Sequence, residues 1–300
     1  MARSVVLKRR APKARANGAI RTYRAALAFL DSTVDIERLI RPTYSPTLFN
    51  LSRMSRLLEQ LGNPHRKLRA AHIAGTKGKG STATMLASML QGCGYKVGLY
   101  TSPHMVDLRE RITVNGKLIS EAEFTRLTAR VAAACRKLKN DRPTYFEVVT
   151  AVAFLHFVDH AVDWAIIETG LGGRLDSTNV IKPEICAVTS ISYDHMGLLG
   201  TSLSQIAEEK AGVFKPGVPV VSAPQQREVK KTLQRLAERN NAPIYFAGED
   251  IEFSYRFESS RLAGPHTRVS VSTPASRFEH LHVPLPGEHQ AINCGVALAV

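Results

Sequence analysis

Residues 69–90 read Arg69-Ala-Ala-His-Ile-Ala-Gly-Thr-Lys-Gly-Lys-Gly-Ser-Thr-Ala-Thr-Met-Leu-Ala-Ser-Met-Leu90. The first part, Ala70 to Ala74, is apolar except for His72 and reads as a short buried strand. Gly75-Thr76-Lys77-Gly78-Lys79-Gly80-Ser81 is a glycine-rich loop. Beyond it Ala83, Leu86, Ala87 and Leu90 recur at helical spacing, and Gly92 ends the pattern. A strand, a glycine loop and a helix N-terminus together form an anion site, because backbone N–H groups and the helix dipole converge on one point. The strict phosphate-loop pattern places four residues between its first two glycines. Here only two separate Gly75 from Gly78, and Gly80 intervenes between Lys79 and Ser81. The chemistry survives the altered spacing. Glycines allow close backbone approach, Lys79 can reach terminal phosphates, and Ser81 and Thr82 carry hydroxyls. The competing reading is a glycine-rich turn with no ligand.

Downstream, Lys96 to Thr101 is a second strand, followed by Ser102-Pro-His104 and a charged run through Arg109, Glu110, Arg111 and Ile112. A loop after a parallel strand beside the glycine loop lies where α/β sheets place ligands; its competing reading is a solvated surface loop. Ser120 to Leu138 reads as a helix with Ser120 and Glu123 in a capping box. A helix from Thr144-Tyr145-Phe146-Glu147 through Val158 is apolar on every side, which predicts burial against the sheet. Phe146 reads equally as core packing. Asp163 to Glu168 is an apolar strand ending in a carboxylate. In a phosphate-loop protein that position suits a magnesium-binding acid. Gly170-Leu-Gly172 lacks the third glycine and the periodic helix of a dinucleotide fingerprint.

Ile185 to Ile191 is a further strand with Asp194-His195 beyond it. His195 reads as a metal ligand through neutral imidazole or as a hydrogen-bonded loop residue. Ser202 caps a helix that carries Lys210, which alone reads as a solvated side chain. Val218 to Ser222 and Ile244 to Phe246 are strands around a helix over 228–239. From Ile251 the chain alternates over 251–257, 268–272 and 281–283, predicting a small antiparallel sheet. A last helix begins near His289, contains Asn293 and ends in the apolar run Val296 to Val300. The βα order around the glycine loop predicts an α/β fold, a doubly wound and mostly parallel sheet.

A chain of 300 residues that is 44% hydrophobic can bury a large core, and its apolar runs are too short for a membrane span. Cys93, Cys135, Cys186 and Cys294 have no metal-type spacing, which suits reduced thiols in a cytoplasmic protein. The formal charge is +14. Arg3, Lys8, Arg9, Arg10, Lys13, Arg15 and Arg21 all precede the first acid, Asp31. Such a tail suits nucleic acid, a transit peptide or a solvated extension, and the solvated extension is expected. The domain division expected is a basic extension over 1–21 and one nucleotide-binding unit over 22–300, with no nucleic-acid or membrane partner.

The string Ala74-Gly-Thr-Lys-Gly-Lys-Gly-Ser-Thr82 resembles the ATP loop of the folylpolyglutamate synthase/dihydrofolate synthase branch of the Mur ligase superfamily, with Lys77 where asparagine is common. Glu168-Thr-Gly-Leu-Gly-Gly-Arg-Leu-Asp-Ser-Thr-Asn179 is similar to that family's signature. So are Glu208-Glu-Lys-Ala-Gly212 and His289-Gln-x-x-Asn293. The resemblance implies ATP on Gly75, Thr76, Lys77, Gly78, Lys79, Gly80, Ser81 and Thr82, with Asn293 against base or ribose. It implies Mg2+ on Ser102, Glu168 and His195, and a carbamylated Lys210 acting with Lys79 and His195. A pterin substrate would meet Ser102, His104, Arg111 and Phe146. The implied reaction joins L-glutamate to a folate or dihydropteroate carboxylate through an acyl phosphate. The family's second domain is not in these 300 residues. That leads to two further expectations: a monomer able to associate through the exposed end 296–300, and impaired ligation. The rivals are another Mur-type ligase and a non-catalytic nucleotide-binding module.

Overall fold

The structure, a computed structural model, describes residues 20–35, 49–138, 141–262, 264–273 and 275–300. The basic tail up to residue 19 and the proline-rich segment Arg41 to Thr47 lie outside the described residues. In chain order the first half holds α1 (Tyr23–Asp31), α2 (Leu51–Gln60), β1 (Ala70–Ala74), α3 (Lys79–Gly92), β2 (Val97–Tyr100), β3 (Ile112–Val114), β4 (Lys117–Leu118), α4 (Glu121–Cys135), α5 (Tyr145–Asp159) and β5 (Trp164–Glu168). The second half holds β6 (Ile185–Val188), α6 (Met196–Leu199), α7 (Leu203–Ala211), β7 (Val220–Ser222), α8 (Arg227–Arg239), β8 (Ile244–Phe246), β9 (Glu252–Ser260), β10 (Gly264–Ser272), β11 (Arg277–Val283) and α9 (Glu288–Ala299).

The main sheet has the order β4-β3-β2-β5-β1-β6-β7-β8. From β2 to β8 every pairing is parallel, and β3 and β4 add an antiparallel edge. This is the doubly wound sheet expected. A parallel sheet must be covered on both faces, and strand alternation divides the side chains between them. Ala71, Ile73, Ile166, Ala187 and Val221 pack with α3, α9 and the small sheet. Ala70, Ala165, Ile167 and Tyr100 face the opposite way, into a core shared with α1, α2, α4 and α5. Ala74, Cys186, Val188 and Val220 extend that second face under α7 and α8. The all-apolar α5 is buried along almost its whole length, as its lack of a polar face requires.

The predicted antiparallel sheet forms, with β10 in the middle. One finding adds to the expectation and another differs from it. The loop after β2 runs into a hairpin, β3–β4, turned by Asn115-Gly116 with φ of 48° and 72°. Both left-handed positions suit a tight hairpin of Asn-Gly type. The apolar end of α9 is also not an exposed surface. Val296 and Ala297 are fully buried, and Leu298, Ala299 and Val300 pack against the core beside α3. The ground for expecting association through that end therefore falls away. Among the described residues no helix is long and apolar enough to cross a membrane.

Candidate active site

Within the sheet β1 lies between β5 and β6, so the connections leaving these three parallel strands share one edge of the sheet. Such a reversal of strand order opens a crevice at the carboxyl ends. The glycine loop leaves β1 into it. Gly75 has φ of 145°, and a Cβ there would fall 1.9 Å from Thr189 Oγ1. Only glycine lets the loop lie that close to the β6 connection. The N–H groups of Thr76 and Lys77 both donate to the Ser190 carbonyl, at 3.0 and 3.3 Å, and Thr76 Oγ1 donates to the Ser192 carbonyl. The loop is thereby braced from below.

Gly78, in the left-handed region, is the N-cap of α3, and no side chain caps that helix. The Thr82 N–H closes the first turn onto Gly78. The N–H groups of Lys79, Gly80 and Ser81 therefore have no partner within the helix, an arrangement at a helix N-terminus that suits an anion. Lys79 Nζ lies 4.0 Å from Glu168 Oε1 and donates to the Thr76 carbonyl at 3.4 Å. Lys77 is exposed.

Glu168 ends β5 and is almost fully buried. The backbone N–H of Ser102, at the end of β2, donates to its Oε2 at 3.1 Å. Desolvation pushes the Glu168 carboxyl up to about 7, against the pull of Lys79 and of the Ser102 N–H. The charge is under-compensated, and a divalent cation would relieve it. The hydroxyls of Thr82, in the first turn of α3, and of Thr169, next to Glu168 in sequence, are buried without hydrogen-bond partners. An oxygen-rich set of this kind, with one carboxylate, fits Mg2+, which takes few protein ligands. His195 stands apart from it. The ring is exposed, with Nε2 3.5 Å from Asp194 Oδ1, and among the described residues no hydrogen bond or ion pair joins it to Glu168.

Lys210, which read alone as a solvated lysine, is 2% exposed. It reaches from α7 under the glycine loop, where its Nζ donates to the Gly75 carbonyl at 2.6 Å. Burial, and secondly the charge of Lys79, pull its ammonium down to about 7. Asn293 comes from α9 on the other side. It is buried, and a Cβ on Gly78 would lie 2.2 Å from its Oδ1. The last helix thus presses an amide against the loop.

The segment after β2 is not a solvated loop throughout. Arg111 is 1% exposed. Its Nε donates to His104 Nδ1 at 2.9 Å, and its guanidinium lies 5.7 Å from the Tyr145 ring centroid. Phe146 stands beside Tyr100 at 5.9 Å, and a Cβ on Gly170 would meet its ring at 2.5 Å. His104, Arg111 and Phe146 therefore line a cationic and aromatic wall next to Glu168. Glu110 instead caps the short helical turn 108–111, and Arg109 pairs with Asp107.

Two supporting groups escaped the sequence reading. Arg53 of α2 is buried and donates through Nε to Glu147 Oε2 at 2.7 Å, fixing the start of α5. Its spacing of four from Leu57 put it on the apolar face, which was the available signal. Asp176 is buried and accepts the N–H groups of Leu171 and Thr178 at 2.8 and 3.0 Å, holding the turn after β5.

The Mur ligase middle domain family matches residues 73–300. The Bacillus subtilis dihydrofolate synthase/folylpolyglutamate synthase is 42% identical over 253 residues, covering 83% of this chain and 58% of that protein. The crystal structure of a Thermotoga maritima folylpolyglutamate synthase superimposes with a TM-score of 0.78 at 36% identity, covering 92% of this chain and 61% of the other. A Mycobacterium tuberculosis folylpolyglutamate synthase complexed with ADP gives 0.82 at 31% identity, covering 94% and 62%. The chain spans about half the length of the curated relatives it matches.

Proposed function

This chain belongs to the Mur ligase family through its middle domain, and from that premise we propose that it supplies the ATP and metal half of a ligase joining L-glutamate to a folate or dihydropteroate carboxylate. The observation that carries the reading is the convergence of the uncapped α3 N-terminus, Lys79 and the under-compensated Glu168 beside a wall of Arg111, His104 and Phe146. Similarity to synthases of this name, and to one complexed with ADP, supports the same substrates.

In this reading ATP gives its terminal phosphoryl group to the substrate carboxylate, leaving ADP and an acyl phosphate. The glutamate amine attacks the acyl carbon, loses a proton and expels inorganic phosphate, and an amide remains. There is little covalent work for the protein, so catalysis rests on placement and charge. Lys79 and the N–H groups of Lys79, Gly80 and Ser81 receive the charge of the transferred phosphoryl group. Glu168, with the Ser102 hydroxyl and a reoriented His195, would hold Mg2+, which when bound neutralises phosphate charge. Gly75 to Thr82 cradle the phosphates, and Asn293 meets the nucleoside. Arg111 meets the substrate's carboxylate, and Phe146 and His104 its ring.

Lys210 is proposed to carry a carbamate. At about 7 its amine is largely neutral in mildly alkaline solution, and that form adds carbon dioxide, losing one proton as the N–C bond forms. Equilibration with 13C-labelled carbon dioxide should give a carbamate resonance that Lys210→Gln lacks. An unchanged spectrum in the variant refutes it. The reading keeps the chain cytoplasmic, with four reduced cysteines, and monomeric. The reaction itself is tested by following ADP formation with dihydropteroate or a folate as acceptor, with and without L-glutamate. Phosphate release that requires both supports ligation; release indifferent to both leaves a nucleotide-binding module. A UDP-muramoyl acceptor that is preferred would assign another Mur-type ligase.

A further inference from the structure

We propose that Glu123, His156 and His160 form a binding site for one zinc-like divalent cation, at the far end of α5 from the nucleotide loop. Three independent observations meet there. His156 and His160 are four residues apart on a helix and its cap, the spacing that sets two imidazoles on one face. Their ring centroids are 4.3 Å apart. Glu123 of α4 faces them, with Oε1 2.8 Å from His160 Nε2 and 4.0 Å from His156 Nδ1. One ligand atom from each of the three residues lies within 4.8 Å of the others. Tetrahedral zinc with bonds of about 2.0–2.2 Å needs ligand atoms roughly 3.3 Å apart, so small side-chain rotations complete the set.

The decisive atom is His156 Nδ1. The side chain is 2% exposed, and that nitrogen has no hydrogen-bond partner. A buried polar atom left unpaired is costly, and it points at the Glu123 carboxylate across a gap that a metal ion would fill. Burial keeps His156 neutral, with a lone pair to give. Glu123 is already oriented: Ser120 Oγ donates to its other oxygen at 2.9 Å, the kind of outer contact that aligns a ligating carboxylate. The neighbouring Asp159 is engaged by Arg126 at 2.8 Å, so water takes the fourth position. His160 is one-third exposed and gives the ion a path from solvent. Two imidazoles and one carboxylate select zinc and its first-row neighbours over magnesium. Phe146 and His156 are ten residues apart on α5, about 15 Å along the axis. The site is therefore separate from the nucleotide crevice, and its ion would clamp α4 to α5 behind it.

The test uses the full 300-residue chain, reduced, with Co2+ and then Zn2+ as probes. Wild type should take up one Co2+ with tetrahedral visible bands and no thiolate charge-transfer band, and Zn2+ should displace it. Zn2+ should also raise the melting temperature. His160→Ala and Glu123→Gln, both changed on the solvent side, should each weaken Co2+ binding at least tenfold and lose the zinc-dependent shift. Their circular dichroism and ATP binding should match wild type. If His160→Ala does not fold, Glu123→Gln carries the test. Absent bands in wild type, a thiolate band, or variants that bind Co2+ as wild type does would each overturn the site.

Discussion

Glu168→Gln should make the metal-free protein more stable in neutral solution and no more stable in acid. Glu168 has its folded-state value raised from 4.5 to about 7, chiefly by desolvation. Between those values the folded state binds more protons than the unfolded state, so stability falls as pH rises from 4.5 to 7. A shift of that size corresponds to roughly 3 kcal/mol, at about 1.4 kcal/mol for each pH unit. Below pH 4.5 both states are protonated and the effect vanishes. Above pH 7 it is fully present. Glutamine keeps an acceptor for the Ser102 N–H and removes the buried charge. Urea denaturation with a chelator, at pH 5 and pH 8, measures it. The variant should gain about 2–3 kcal/mol over wild type at pH 8 and less than about 1 kcal/mol at pH 5. In the same variant magnesium should lose its stabilising effect. Parallel stability curves for the two proteins across this range would refute the claim that Glu168 holds an under-compensated charge awaiting a cation.

Gly78→Ala should destabilise the fold by roughly 1–3 kcal/mol, from left-handed strain and the displaced Asn293 amide, and weaken ATP binding at least tenfold. Thermal melts and equilibrium dialysis check it, and a variant that binds normally would mean the loop does not approach the phosphates. Arg53→Met should cost about 3–5 kcal/mol by leaving Glu147 buried without its partner. Adding Glu147→Gln should recover part of that, and a single-variant loss under about 1 kcal/mol in urea would show that the pair is expendable.

Much of this architecture was legible because local signals were consistent. Apolar strands ended in glycines or hydroxyl-bearing caps, and Thr144, Ser120 and Ser202 each cap the helix they announce. Glycine loop, Glu168 and Ser102 could be assigned to strand ends from period alone, and strand order then brought them together. Long-range burial was not legible. Lys210 and Arg111 read as solvated because helix position and loop charge say nothing about what packs above them. The glycine loop lies over Lys210 and Tyr145 lies beside Arg111, contacts that only the tertiary fold supplies. The apolar end of α9 misled for the same reason: its cover, the core beside α3, is far away in sequence. The Asn115-Gly116 hairpin and the His156–His160 spacing were local signals that went unread.

The central claim is that the α3 N-terminus and Lys79 form a phosphate site. Titration of ATP with magnesium into the 300-residue chain, by calorimetry, tests it most directly when paired with Lys79→Ala. The account predicts one nucleotide per chain and at least tenfold weaker binding in the variant, with unchanged circular dichroism, since Lys79 sits at the helix N-terminus rather than in the core. Equal affinity in the two proteins, or no binding by either, would contradict it.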